Sequence, residues 1–395
     1  MSNINKWTIS SSRGGTIRIY ADGDTRVPST WIKSSANIVD CTFMYNKGNN
    51  GAAIGNCGDL TLTNCLFQHN TGQNGGALYS GSRFNNFPIY VHINNCTFDH
   101  NTLTYSRYGG AIYNNDKSTM WITRSLFTNN VGDNGGAVNN SAMGNMTITY
   151  CTFQNNTGDW GADVVFYGDK ENQTYNIANY NKFLSNGTYG AVYTSKNAPS
   201  DLRWNYWGTN KDPWKTGKIT VEFGQEQGLM TYDPWVILTV KPDTKTIYNT
   251  KKTTVTDLNH LSNGEQLTEP LPDGTLTLNI PWGSFSNTNT IHSITLNTIN
   301  GIASTTFYAK EGAINPLYNP VQVTVNAVND ITIENESAYV SIKKSADIHI
   351  NITSDKKHPK PNETMKLTYK MGNKGPDTAD NVTVTIPLPK WFNVK

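Results

Sequence analysis

Residues 126–153 read LFTNNVGDNGGAVNNSAMGNMTITYCTF and hold one whole period of a repeat. A Phe is followed three residues later by Asn, then by a Gly-Ala step, then by an alternating run that leads to the next Phe. Outward from this stretch, the Phe/Asn pairs are Phe43/Asn46, Phe67/Asn70, Phe98/Asn101, Phe127/Asn130, Phe153/Asn156 and Phe183/Asn186. Their Gly-Ala partners are Gly51-Ala52, Gly76-Ala77, Gly110-Ala111, Gly136-Ala137, Gly161-Ala162 and Gly190-Ala191. Phe-to-Phe spacings of 24, 31, 29, 26 and 30 residues are those of stacked structural units rather than of a globular core.

Alternating runs such as Leu60-Thr61-Leu62-Thr63 and Met146-Thr147-Ile148-Thr149 mark strands with one buried face. Two or three short strands per period make one coil of a parallel β-solenoid. Each Phe is expected to point inward and stack on its neighbours. Each Asn is expected at a turn, in left-handed backbone, with its amide bonding the next rung. Gly permits the tight corner that follows. Six or seven coils at about 4.8 Å give a rod of roughly 30 Å. Cys41, Cys65, Cys96 and Cys151 share one place in the repeat, and Ser125 fills it in the fourth unit. Adjacent rungs lie within the Cα range of a disulfide, but parallel inward side chains read as a ladder of buried thiols.

An open solenoid end exposes strand edges and needs covering. Trp204, Asn205, Trp207, Gly208 and Pro213 break the pattern and read as that cap. The domain reading is therefore a coil over 1–205, a cap and linker over 206–235, a β-sandwich over 236–330, a linker over 331–344 and a partial second sandwich over 345–395. The strands expected after the coil include Thr275–Leu278, Ser304–Tyr308 and Val321–Val325, at sandwich-like spacing.

Charged residues make up 16% of the chain and the net charge is +2, which leaves no electrostatic footprint for nucleic acid. The longest apolar run, Trp235–Val240, is too short to span a bilayer, so no direct membrane insertion is expected. MSNINKWTIS at the start lacks a basic segment followed by an apolar one, and the chain reads as a piece of a longer protein.

The GGA[ILV] and FxxN phrases resemble the repeats of chlamydial polymorphic outer-membrane adhesins. Residues 1–235 are more closely similar to the right-handed, single-stranded parallel β-helix of methanogen adhesin-like surface proteins, an archaeal group. Their NxWG…P closing phrase is matched by Asn205, Trp207, Gly208 and Pro213. Residues 236–330 look like an invasin-type Ig-like module. Asn373-Lys374-Gly375-Pro376-Asp377-Thr378-Ala379 with Asn381-Val382-Thr383-Val384 resembles a tandem surface-protein repeat. The resemblance implies an extracellular, cell-surface adhesin whose β-helix binds a glycan or protein of another cell, with Ig-like modules as a stalk. The alternatives are a β-helix polysaccharide lyase or hydrolase of pectin-lyase-like fold, and a structural envelope component.

Several residues are candidates for chemistry. Tyr90, Tyr105, Tyr108 and Trp121 border the longest insertions and suit sugar rings or a protein partner. Asp133 and Asp159 hold equivalent places in adjacent coils, as a carboxylate pair or a Ca²⁺ site; otherwise they are ordinary turn residues, and no other cofactor is expected. His69 and His100, with Asp99, offer two metal ligands but no evident third. Asp163 replaces an apolar residue after Gly-Ala, where an unpaired buried carboxylate is costly. Arg107, Lys117 and Arg124 are scattered and do not form a catalytic phrase.

Overall fold

The computed structural model describes residues 4–5, 8–9, 17–19, 21–22, 32–81, 88–105, 107–115, 117–141, 143–168, 174–195, 197–222, 229–248, 251–309, 320–327, 336–344, 346–375 and 377–387. Pro376 of the surface-repeat phrase lies outside them. The described residues are all-β, without a helix.

Three long parallel sheets carry the first part of the chain. The first sheet stacks Ile4–Asn5, Ser35–Val39, Asp59–Thr63, Ile89–Asn94, Ser118–Thr123, Asn145–Thr149, Asn176–Asn179, Ser200–Asp201 and Met230–Thr231. The second stacks Thr8–Ile9, Thr42–Met44, Leu66–Gln68, Thr97–Asp99, Leu126–Thr128, Thr152–Gln154 and Lys182–Phe183. The third stacks Ile17–Ile19, Ile54–Asn56, Leu78–Ser80, Ile112–Asn114, Val138–Asn140, Val164–Phe166, Val192–Thr194 and Ile219–Val221. The chain visits first, second and third sheet in turn and then starts the next layer, an arrangement compatible with a parallel β-helix. Nine layers in the first sheet exceed the six or seven expected.

Register is set by ladders of like residues. Phe43, Phe67, Phe98, Phe127, Phe153 and Phe183 pair rung on rung. Their rings stack with centroids 4.7–5.1 Å apart, and Trp207 extends the column at 5.0 Å. Offset aromatic contacts of this kind add stabilisation to the area they bury. Beside them the backbone N–H and side-chain Nδ2 of Asn46 both donate to Asn70 Oδ1, at 3.1 and 2.7 Å. The same bonds repeat through Asn101, Asn130 and Asn156. These asparagines are buried, not left-handed. The residue before each takes the positive φ instead: Tyr45, His69, His100, Asn129 and Asn155. That left-handed turn swings the following amide into the core, where it serves as a built-in hydrogen-bond column.

Asn186 departs from the expected register. It is exposed, and Ser185 holds the rung, its Oγ accepting from Asn156 N at 2.9 Å. Phe183 lies four residues before Gly187, whereas Phe153 lies five before Gly158. The coil is thus one residue short, and the deleted residue is the left-handed one. The thiol column also has a definite chemistry. Cys65 N donates to Cys96 Sγ, Cys96 N to Ser125 Oγ, Ser125 N to Cys151 Sγ, Cys151 N to Asn181 Oδ1 and Asn181 N to Asn205 Oδ1. Cys96 and Cys151 act as acceptors for the preceding layer, and no cysteine of the column is in a disulfide.

The corner before the third sheet takes glycine at Gly75 and Gly76 for two reasons, although the Gly76 rung is Ala52 and Ala162 in two other layers. Gly75 has φ +62°, and a Cβ on Gly76 would lie 2.1 Å from Gly110 O.

The 206–235 segment is not a separate cap. Tyr206 bridges Lys182 and Val236, Ile219–Val221 extends the third sheet and Met230–Thr231 the first. Asn205 and Trp207 are the last rungs of the asparagine–thiol and aromatic columns. Trp214 and Trp235 pack against the core, into which Tyr232 is buried. Trp204 is only half-buried, on the outside.

A second unit follows directly. Val236–Pro242, Lys252–Leu261 and Ala303–Tyr308 form an antiparallel three-stranded sheet. Thr246–Tyr248, Glu336–Lys343, Val321–Ala327, Thr275–Asn279 and Ser293–Asn297 form a five-stranded one in that order. Glu336–Lys343 falls in the stretch read as a 331–344 linker; its backbone is paired on both sides. Leu238, Val255, Phe307, Leu278, Val321, Val323 and Val340 fill the unit's core, and Leu184 and Tyr206 of the stack join it. Asn210 clamps the junction: its Nδ2 donates to Leu238 O and its Oδ1 accepts from Leu238 N, at 2.8 and 2.7 Å. Ile348–Ser354 and Leu367–Asn373 form an antiparallel hairpin.

Candidate binding site

The four aromatic candidates fall on different faces. Tyr90 and Trp121 lie on the outer side of the first sheet, 6.2 Å apart. His92, beside Tyr90 in the same strand, stacks on Trp121 at 4.5 Å and 6°. Threonines continue these rows, Thr61 and Thr147 on the His92–Trp121 row and Thr119 next to Tyr90. Alternation in the strands puts Val91, Ile93, Met120 and Ile122 inward and these rings outward. Tyr108 sits instead at the entry to the third sheet, stacked on Tyr113 at 5.2 Å. Tyr105 is 66% exposed on the loop between second and third sheets.

Asp133 and Asp159 stand on adjacent layers, with Tyr189 N bonding Asp159 O and Thr188 Oγ1 donating to Asp159 Oδ1 at 3.3 Å. His69 stacks between Tyr45 and His100, at 5.0 and 4.9 Å. His100 Nδ1 is 2.7 Å from Asp99 Oδ1. Burial alone would push the Asp99 carboxyl up, but hydrogen bonds from Asn129, Gln68 and His100 outweigh it and hold it below its ordinary value. Among the described residues no three His, Cys, Asp or Glu side chains gather as a metal site would require.

Asp163 is fully buried and points inward, on a rung that is alanine in Ala77, Ala111, Ala137 and Ala191. Its Oδ1 accepts from Asn156 Nδ2 at 3.0 Å and its Oδ2 from Ser185 N at 3.4 Å. Lys218 lies on the same rung two layers on and donates from Nζ to Ser185 O at 3.3 Å. Burial raises the Asp163 pKa to about 6, against the opposing pull of Ser185, Asn156 and Lys218. This cluster repairs the short coil: without Asn at 185, Asp163 supplies the acceptor that Asn156 needs.

The repeat also carries a second column of side chains, along the outside of the stack. The residue just before each Cys/Ser/Asn rung is left-handed and outward: Asp40, Asn64, Asn95, Arg124, Tyr150, Tyr180 and Trp204. Asn64 and Asn95 form an amide chain on Asp40, at 3.0 and 2.8 Å. Further along, Arg124 lies over Tyr150 at 5.3 Å, Tyr150 stacks on Tyr180 at 5.5 Å, and Tyr180 on Trp204 at 5.2 Å. Arg203 covers Trp204 at 4.5 Å and pairs with Asp201 at 2.7 Å. Beside this column the outer face of the second sheet and the second unit enclose a cleft of about 360 Å³. Arg124, Tyr150, Lys182 and Leu184 form one wall, and Leu271, Asp273, Gly274 and Leu276 the other. Burial, then Glu269, raises the Tyr150 pKa. No spacing rule in the sequence links Lys182 to Gly274, so the cleft was not legible.

These features define a class: an all-β protein with long parallel sheets stacked layer on layer and aromatic side chains presented along the outside. No protein-family model matches the chain, and no curated protein matches it significantly.

Proposed function

We propose that this chain is an adhesin-like surface protein that binds a saccharide of another cell through the outside of a right-handed parallel β-helix, and that the following units are Ig-like stalk modules. The observation that carries the reading is the Tyr90–His92–Trp121 cluster, held outward on a flat sheet between rows of threonine. Aromatic rings offer C–H-rich sugar faces a partner, and neighbouring hydroxyls serve sugar hydroxyls. Register fixes these side chains before any ligand arrives, which lowers the entropic cost of binding. The two-sheet packing after residue 235 supports the module reading, and the resemblance of the repeat phrases to methanogen adhesin-like proteins supports the surface role.

A glycan array run with the purified chain, scored for retention and for cleavage, tests this. Retention without cleavage is expected. Tyr90→Ala with Trp121→Ala should weaken the retained signal about tenfold, corresponding to roughly 1–2 kcal/mol. Cleavage of any glycan on the array would overturn the proposal.

A further inference from the structure

We propose that the cleft between the second sheet and the two-sheet unit binds an anionic sugar residue, bearing a carboxylate or a sulfate ester. The inference rests on the saccharide reading above and adds a second place for saccharide, apart from the Tyr90–Trp121 cluster, with its ligand class.

The cleft volume of about 360 Å³ is at the scale of one small ligand, for which pockets run from roughly 300 to 1,000 Å³ and favour the junctions between units. Its walls are held. Leu184 and Leu271 belong to a core shared by both units, so the cleft does not depend on closure of a loop. Two cations stand on one wall. Arg124 comes from the left-handed corner, and its guanidinium is oriented over the Tyr150 ring. Lys182 comes from an outward strand position two layers on, with its ammonium beside Gly274. A guanidinium fork and an ammonium on separate rungs suit an anion on a rigid ring better than a point ion, because Arg recognises planar oxyanions bidentately. Leu184, Leu271 and Leu276, all buried, form the apolar floor of the cleft. Two acids lie nearby: Asp273 is turned to its own loop, where its Oδ1 accepts from Gly301 N at 3.1 Å, and Glu269 acts on Tyr150, so the ligand's anion competes with them for Arg124 and Lys182.

The test is calorimetric titration of the whole chain with oligosaccharides of one length in three forms: uronate, sulfated and neutral. One anionic form should bind, and which one does so identifies the source of the charge. Two variants preserve the fold. Arg124→Asn with Lys182→Thr uses residue types already present on the same columns, at Asn95 and Thr152. Gly274→Leu fills the mouth, since Gly274 is not left-handed and a Cβ there would meet only the tip of Lys182, at 3.1 Å. Each should weaken binding at least tenfold, while Tyr248→Ala, an exposed ring outside both the cleft and the Tyr90–Trp121 cluster, leaves it within twofold. Binding that survives both cleft variants but fails with Tyr90→Ala and Trp121→Ala would overturn the cleft and leave the saccharide reading standing. Equal binding of the neutral form would overturn the anionic class. Retention of no saccharide of any class would overturn both.

Discussion

A single missing residue explains the most unusual chemistry in the core. The coil that carries Phe183 lacks the left-handed residue found at Asn129 and Asn155, so Ser185 replaces an asparagine and one amide donor on Asn156 loses its acceptor. Asp163 accepts it. The charge this brings is the reason its pKa is raised, burial first, to about 6. Because the folded value lies above the ordinary 3.8, the folded state holds the proton more tightly than the unfolded one. Stability from this group is therefore fully present below pH 4 and is lost as pH rises through about 6. The swing is about 3 kcal/mol. Urea denaturation from pH 4 to 7.5 should show the wild type losing that much relative to Asp163→Asn, which keeps an acceptor oxygen without the charge. A flat difference between the two would show that Asp163 is ionised throughout. The substitution at 163 was legible in the repeat, but its direction was not, since it depends on which way the rung faces.

At the scale of the element, the corner into the third sheet is set by approach between backbones. The Gly76 position leaves 2.1 Å between a built Cβ and Gly110 O, and Gly110 stands in the same relation to Gly136 O at 2.0 Å. Gly76→Ala should therefore cost more than about 3 kcal/mol in urea denaturation, as core strain does. Gly264 has φ +88° but open space around it, so Gly264→Ala should cost only about 1 kcal/mol of backbone strain. Equal effects would mean that the Gly76 corner relaxes to admit a Cβ, as the same rung does at Ala52 and Ala162. The repeat made the left-handed corner readable, because Gly51, Gly75, Gly109, Gly135 and Gly161 meet the same need in successive layers; the rung after it is Gly76, Gly110 and Gly136 but also Ala52 and Ala162. It misled on the asparagines, where one expected both a left-handed turn and a ladder from the same residue; the structure divides these tasks between neighbours such as His100 and Asn101.

Over the whole molecule, the stack and the following unit share a boundary rather than a tether. Tyr206 pairs with both Lys182 and Val236, and Asn210 fastens Leu238. Calorimetric unfolding of the chain should show the two units melting together. Asn210→Ala with Leu184→Asp removes the clamp and places a charge in the shared apolar contact, and should split that transition into two. A wild type that already melts in two separate steps would show that the junction carries no coupling. The spread of the aromatic candidates also belongs to this scale: Tyr108 and Trp121 are close in sequence yet lie on different sides of successive layers.

The sequence by itself determined the stacked parallel architecture, the inward aromatic column and the glycine corners, because in-register layers repeat the same local demand on the same residue type. Tertiary structure alone decided where the coil ends, how Asp163 is partnered and which surfaces face one another across the cleft. Those depend on contacts between residues as distant as Lys182 and Gly274, which no period connects. A one-residue deletion likewise shows its effect only against the neighbouring layers that keep the full length.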